Sequence, residues 1–144
     1  MPERDIDTQS DNFRHTPVPL AAGARNALGR YGEDAAVRYL IAEEMQILDR
    51  NWRCTERSNP GEIDVVARDG DALVICEVKT RRGQRFGSPL EAVTPLKVAR
   101  LRRLAAAWIA VHDMHPAVIR LDVVGVTRPM SGPAVIDHVR GVGQ

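Results

Sequence analysis

Apolar positions along this chain fall into two rhythms, one of three to four residues and one of two. From about Leu28 to Glu44 the residues Ala35, Ala36, Tyr39 and Leu40 recur at helical spacing, which predicts an amphipathic helix packed through the small residues Gly29 and Gly32. Gln46 to Arg53 predicts an edge or second strand, and the Ser58, Asn59, Pro60, Gly61 cluster a turn after it. Glu62 to Arg68 and Ala72 to Thr80 are rich in β-branched residues, and Asp69-Gly70-Asp71 between them is a hairpin signal. The first half of the second strand is apolar on both faces, as a central strand requires. Pro89 to Val93 predicts a short helical turn. Thr94-Pro95 then supplies an N-cap and first helical position for a helix to about His112, with Leu101, Leu104, Ala105 and Trp108 as its buried stripe. Ala117 to Thr127 and Ala134 to Val139 predict two further strands, and the terminal Gly-Val-Gly-Gln a frayed end. The fold class expected is α/β, a mixed central β-sheet flanked by helices.

Composition narrows this to one domain. The chain has 144 residues, 44% apolar and 27% charged, enough for a sizeable core. No stretch approaches the roughly 18 apolar residues of a membrane span, and the N-terminus lacks the apolar segment of a secretory signal. Residues 1–25, polar and proline-containing without periodicity, are expected to form a disordered tail before a domain over 26–144. Cys54 and Cys76 lie far apart with no CxxC spacing, which argues against a zinc site or a disulfide framework and for a cytoplasmic protein.

The candidate chemistry lies in the hairpin. A two-residue loop at Asp69-Gly70 sets Asp64 diagonal to Glu77; a loop at Gly70-Asp71 sets the two directly opposite. Either register puts both carboxylates on one face, with Lys79, Ile75 and Leu73, while Val74, Cys76 and Val78 face the other way. Opposed Cβ atoms lie roughly 5 Å apart, so a divalent cation fits between the acids, flanked by the lysine. The plain alternative is an ordinary Glu–Lys pair at a strand end with Asp64 on a solvated face. Charged groups at the end of a central strand are costly unless they are paired or bound.

At these residues the chain resembles the restriction-endonuclease-like PD-(D/E)xK nucleases, a superfamily that includes the archaeal Holliday-junction resolvases. It is still more similar to the YraN-type family of uncharacterised, endonuclease-like bacterial proteins. The motifs that carry the resemblance are Gly29-Arg30-Tyr31-Gly32-Glu33, Gly61-Glu62-Ile63-Asp64 and Glu77-Val78-Lys79-Thr80-Arg81, continuing through Phe86 to Val93 and Lys97. Ile63 stands where the generic nuclease pattern has proline. The resemblance implies a restriction-endonuclease-like fold and a metal-dependent endonuclease acting on DNA, with branched or structured DNA as candidate substrates. It further implies that Asp64, Glu77, the Val78 carbonyl and Glu33 hold Mg²⁺ or Mn²⁺, and that Lys79 acts on the transition state. Hard oxygen donors suit magnesium.

Charge distribution points to the same kind of partner. Lys79 to Arg103 carries eight basic residues against one acid although the whole chain is only +1, so a basic patch sits on an otherwise acidic protein. Arg81, Arg82, Arg85, Lys97 and Arg100 are the candidate phosphate contacts, while Arg102 and Arg103 are read as a solvated helix face. Lys97 occupies a helix first turn, the unfavourable end for a cation, which a bound phosphate would offset. The expected partner is nucleic acid, DNA first, with a homodimer open and no membrane. The competing function is a nucleic-acid-binding module on a nuclease fold with little or no catalysis; a structural protein with an acidic docking face is a third.

Overall fold

The computed structural model describes residues 22–83, 91 and 93–143. Helix α1 spans Ala22–Ala42, strands β1 to β3 span Gln46–Cys54, Gly61–Asp69 and Ala72–Arg82, helix α2 spans Pro95–His112, and strands β4 and β5 span Val118–Arg128 and Val135–Val139. The strands form one sheet in the order β1-β2-β3-β4-β5. The first three make an antiparallel meander, β4 returns parallel to β3 after α2, and β5 pairs antiparallel with β4. This mixed sheet with two helices is the expected α/β architecture and is compatible with a restriction-endonuclease-like fold.

Each face of the sheet is covered by one helix, which explains the two-sided apolar strands. Ile63, Val66, Leu73, Ile75, Leu121 and Val123 pack with Leu101, Leu104 and Trp108 of α2. Val65, Ala67, Val74, Cys76, Val124 and Val126 pack with Ala35, Ala36 and Leu40 of α1. β3 is central, and its alternation is as the sequence predicts. Gly32 lets α1 lie close to β3, since a Cβ there would collide with the Thr80 side chain. Thr94 caps α2 as expected, its Oγ1 accepting from the Lys97 amide at 3.1 Å.

Several boundaries differ from the sequence reading. α1 begins at Ala22, inside the expected tail; the rest of that tail lies outside the described residues. Glu33 and Asp34 are therefore mid-helix, and α1 has no acid in its first turn to complement the dipole. Of the expected turn at Pro89 to Val93 only Glu91 and Val93 are described. The terminal glycine-rich segment is docked rather than frayed: Val142 is buried in the α2-side core, and its amide donates to the Leu121 carbonyl at 2.7 Å. Among the described residues no helix is long and apolar enough to cross a membrane.

Candidate functional site

The register chosen by the hairpin is the one with Gly70-Asp71 as the loop, since Asp69 pairs with Ala72 and Val65 with Cys76. Gly70 adopts φ +63°, the left-handed conformation that tight hairpin turns ask of a first central residue. Carried one step further, this register sets Asp64 opposite Glu77. The ladder stops short of that pair, because β2 changes face there. Ile63 packs on the α2 side and Val65 on the α1 side, so the two-residue alternation breaks at Asp64. β1 yields at the same level. The β1–β2 pairing skips from Arg50–Val65 to Trp52–Ile63, and Asn51 takes φ +50°, which asparagine tolerates better than most residues.

The result is a fork between β2 and β3 with Asp64 in its crotch. Its Oδ2 accepts from the Val78 amide at 2.8 Å, so the carboxylate takes a β3 donor beyond the end of the β2–β3 ladder. Burial pushes the Asp64 carboxyl well above the usual carboxylate range. The charge of Glu77 adds to the rise, with smaller additions from Glu33 and Glu62, and only the Val78 hydrogen bond opposes it. Glu77 is itself buried, and its Oε2 lies 2.9 Å from Lys97 Nζ. Lys79 is half-buried two residues further along β3 and has a partner of its own. Behind the fork, on the α1 side, burial first and then the neighbouring carboxylates push the Cys76 thiol up, so Cys76 is an inert core thiol.

The structure separates the expected site residues. Asp64, Glu77 and the Val78 backbone converge at the fork. Glu33 does not close on them: its Oε1 accepts from Asn51 Nδ2 at 2.9 Å, and it reaches Asp64 only through its field. The half-buried carboxylate turns to the β1 kink, where Asn51 offers a donor, and not into the ligand set that the resemblance implies. Among the described residues, no group of three or more His, Cys, Asp and Glu side chains is placed to hold a metal ion. Lys97, expected on a phosphate, is paired with Glu77, which relieves the unfavourable helix end from within. Arg81 and Arg82 are half-buried at the end of β3, Arg100 is exposed on α2, and Arg85 lies outside the described residues.

Sequence reasoning missed a second polar cluster, on the α1 side of β4. Asp122 is fully buried, and Arg120 grips both its oxygens at 2.9 and 3.0 Å. His138 Nε2 lies 2.8 Å from Asp122 Oδ2 and must donate to it, while its Nδ1 meets the Tyr39 hydroxyl at 2.9 Å. The Gly141 amide donates to the other oxygen at 3.2 Å. Burial alone would push the Asp122 carboxyl up; the bonds from His138, Arg120 and Gly141 outweigh it and hold the carboxyl below its ordinary value. Arg120 continues the chain of bonds to Asp69 at 3.0 Å, and Arg140 links Asp69 to Glu43. The signal available in the sequence was Arg120-x-Asp122, two charges on one face of an otherwise apolar strand.

A protein-family model described as the uncharacterised protein family UPF0102 matches residues 32–126, a span that contains the fork and α2. A UPF0102 protein of Nocardioides sp. is 54% identical over 123 residues, covering 85% of this chain and 96% of its own. One of Kineococcus radiotolerans is 59% identical over 120 residues, 83% of this chain and 95% of its own. A Streptomyces coelicolor relative is 56% identical, with 83% and 90% covered.

Proposed function

The chain belongs to the uncharacterised protein family UPF0102, and from that premise and the acidic fork we propose that it is a metal-dependent endonuclease of the restriction-endonuclease-like PD-(D/E)xK type, akin to the Holliday-junction resolvases. Its substrate in this reading is DNA, branched or structured DNA included. One observation carries the proposal: a half-buried Asp64, its carboxyl bonded to the Val78 amide and raised by desolvation and by Glu77, sits at the point where two strands part. A protein does not keep two facing acids in a desolvated fork for stability, since like charges across a sheet oppose folding. A cation resolves the conflict.

The donor set fits Mg²⁺ or Mn²⁺. Asp64, Glu77 and the Val78 carbonyl offer hard oxygens, and among the described residues no soft ligand faces the fork. Such an ion would supply charge stabilisation at the phosphate and a bound water of lowered pKa. The chain's own residues do the rest. The Val78 amide fixes one Asp64 oxygen and so sets the carboxylate's rotation. Lys97 fixes Glu77 in the same way from α2. Lys79, on the Glu77 side of β3, stabilises charge at phosphorus and orients the attacking water. Arg81, Arg82, Arg85 and Arg100 hold flanking phosphates, each guanidinium able to take two oxygens.

A second reading, a nucleic-acid-binding module without catalysis, is favoured by two observations. Lys97 already neutralises Glu77, and Glu33 is engaged by Asn51. Incubation of linear, flapped and four-way DNA with the protein in Mg²⁺ or Mn²⁺ separates the two. The nuclease reading expects cleavage of at least one substrate, lost in Asp64→Asn. Binding without cleavage of any substrate selects the module.

A further inference from the structure

We propose that the groove between the 58–61 turn and α2 is a phosphate subsite, formed by Arg100 and Arg103, for a nucleic-acid strand that crosses the fork. The inference rests on the nucleic-acid reading above, gives Arg100 a specific subsite within it, and extends it to Arg103, which the sequence assigned to solvent. The groove has a volume of about 370 Å³ and is lined by Ser58, Asn59, Pro60, Gly61, Arg100 and Arg103. No acid lines it, and among the described residues neither arginine is ion-paired, whereas Arg50, Arg53, Arg120 and Arg140 all are. Two arginines, a serine and an asparagine lining one cavity make a concavity rich in donor-bearing residues, a composition suited to a phosphate.

The groove is built rather than incidental. Asn59 Nδ2 donates to the Arg103 carbonyl at 3.2 Å, which ties the turn to the helix. Gly61 adopts φ +142°, and a Cβ on it would stand 3.0 Å from Leu104 Cδ1 and 3.6 Å from Arg100 Cδ. The glycine therefore lets α2 approach the start of β2 and leaves room for the Arg100 stem along the groove wall. Arg102, by contrast, turns away and bonds the Gly143 carbonyl at 2.7 Å.

Position gives the groove its role. Gly61 precedes Asp64 by three residues of β2, about 10 Å at strand rise, or about three duplex nucleotide steps. On α2 the residues Lys97, Arg100 and Arg103 follow at intervals of three, and residues so spaced are surface neighbours. Lys97 touches the fork and Arg103 lines the groove, about 9 Å further along the helix axis. A strand whose reacting phosphate lies at Asp64 and Glu77 thus reaches the groove with another of its own phosphates.

The test is binding of a short fluorescent single strand, followed by anisotropy in chelator over a series of salt concentrations. Wild type is compared with Arg100→Gln, Arg103→Gln, the double variant, and Arg38→Gln, an exposed α1 arginine outside the groove. All are placed on an Asp64→Asn background, so the outcome is independent of cleavage, and melting curves confirm that each is folded. Each groove arginine should contribute about 0.7 to the slope of log affinity against log salt, so the double variant should be shallower by about 1.4. Arg38→Gln should leave the slope unchanged. A double variant with the parent's slope and affinity, or a loss equalled by Arg38→Gln, overturns the subsite. Displacement of the strand by micromolar inorganic phosphate overturns it in favour of a site for free phosphate. A chain that passes this test and cleaves nothing keeps the subsite and loses only the nuclease reading.

Discussion

At the scale of single residues, Asp64 concentrates the cost of the site. Its carboxyl is raised chiefly by burial and then by Glu77, so without metal the folded state holds a proton that the unfolded chain releases. Between the ordinary carboxylate value and the raised one, stability should fall as pH rises, and the whole penalty is present above the raised value. Asp64→Asn keeps the acceptor for the Val78 amide and removes the charge. Its melting temperature in chelator should match wild type near about pH 4 and rise above it towards neutrality, by a few degrees if about 1 kcal/mol is recovered. A constant offset at all pH values would refute the charge argument. Lys79 tests the chemistry rather than the stability. Lys79→Ala should reduce cleavage by roughly 10² to 10³-fold while metal and DNA affinity hold, because the ammonium is assigned to the transition state. Unimpaired turnover in that variant would remove it from the mechanism.

At the scale of elements, sequence periodicity supplied the strands and helices but not the local irregularities that set the fork and the element ends. The hairpin itself was legible, because Asp69-Gly70-Asp71 marks a turn, but two registers were open, and the positive φ of Gly70 accompanies the one adopted. The face change between Ile63 and Val65 was not legible, since Ile-Asp-Val reads as plain alternation and only packing against α2 shows otherwise. The early start of α1 was hidden because Ala22 to Asn26 has no apolar rhythm. The docking of Val142 was not legible either, because its partners, Leu121 and the α2 stripe, are distant in sequence. The Asp122 cluster joins α1, β4 and β5 through Tyr39, Arg120 and His138, and it carries its own prediction. Its carboxyl lies below the ordinary value, so it stabilises the fold above about pH 3.9 and loses that contribution as pH falls through the lowered value. Asp122→Ala strands a half-buried arginine and its histidine partner and should cost about 3 kcal/mol at neutral pH, read by denaturant unfolding. A loss below about 1 kcal/mol would mean that the cluster is not coupled to folding.

At the scale of the whole molecule, the sheet is a divider between two chemistries. The α1 side carries a closed polar cluster whose charges satisfy one another, and its role is to join elements. The α2 side and the fork carry charges in excess of their partners: two acids facing one another, a lysine bridging from the helix, and exposed arginines beyond it. The UPF0102 relatives span nearly the whole of this arrangement, each aligned over most of its own length. The claim on which the account turns is that Asp64 and Glu77 form one cation site. Melting of wild type, Asp64→Asn and Glu77→Gln, each in chelator and in millimolar Mn²⁺ at neutral pH, addresses it without any substrate. The account predicts that Asp64→Asn is more stable than wild type in chelator, whereas Glu77→Gln gives up its pair with Lys97 and gains less. It predicts the opposite order in metal, since wild type alone gains about 2.7 kcal/mol at a hundredfold excess over Kd. Equal metal shifts in all three proteins, with no difference in chelator, would contradict it.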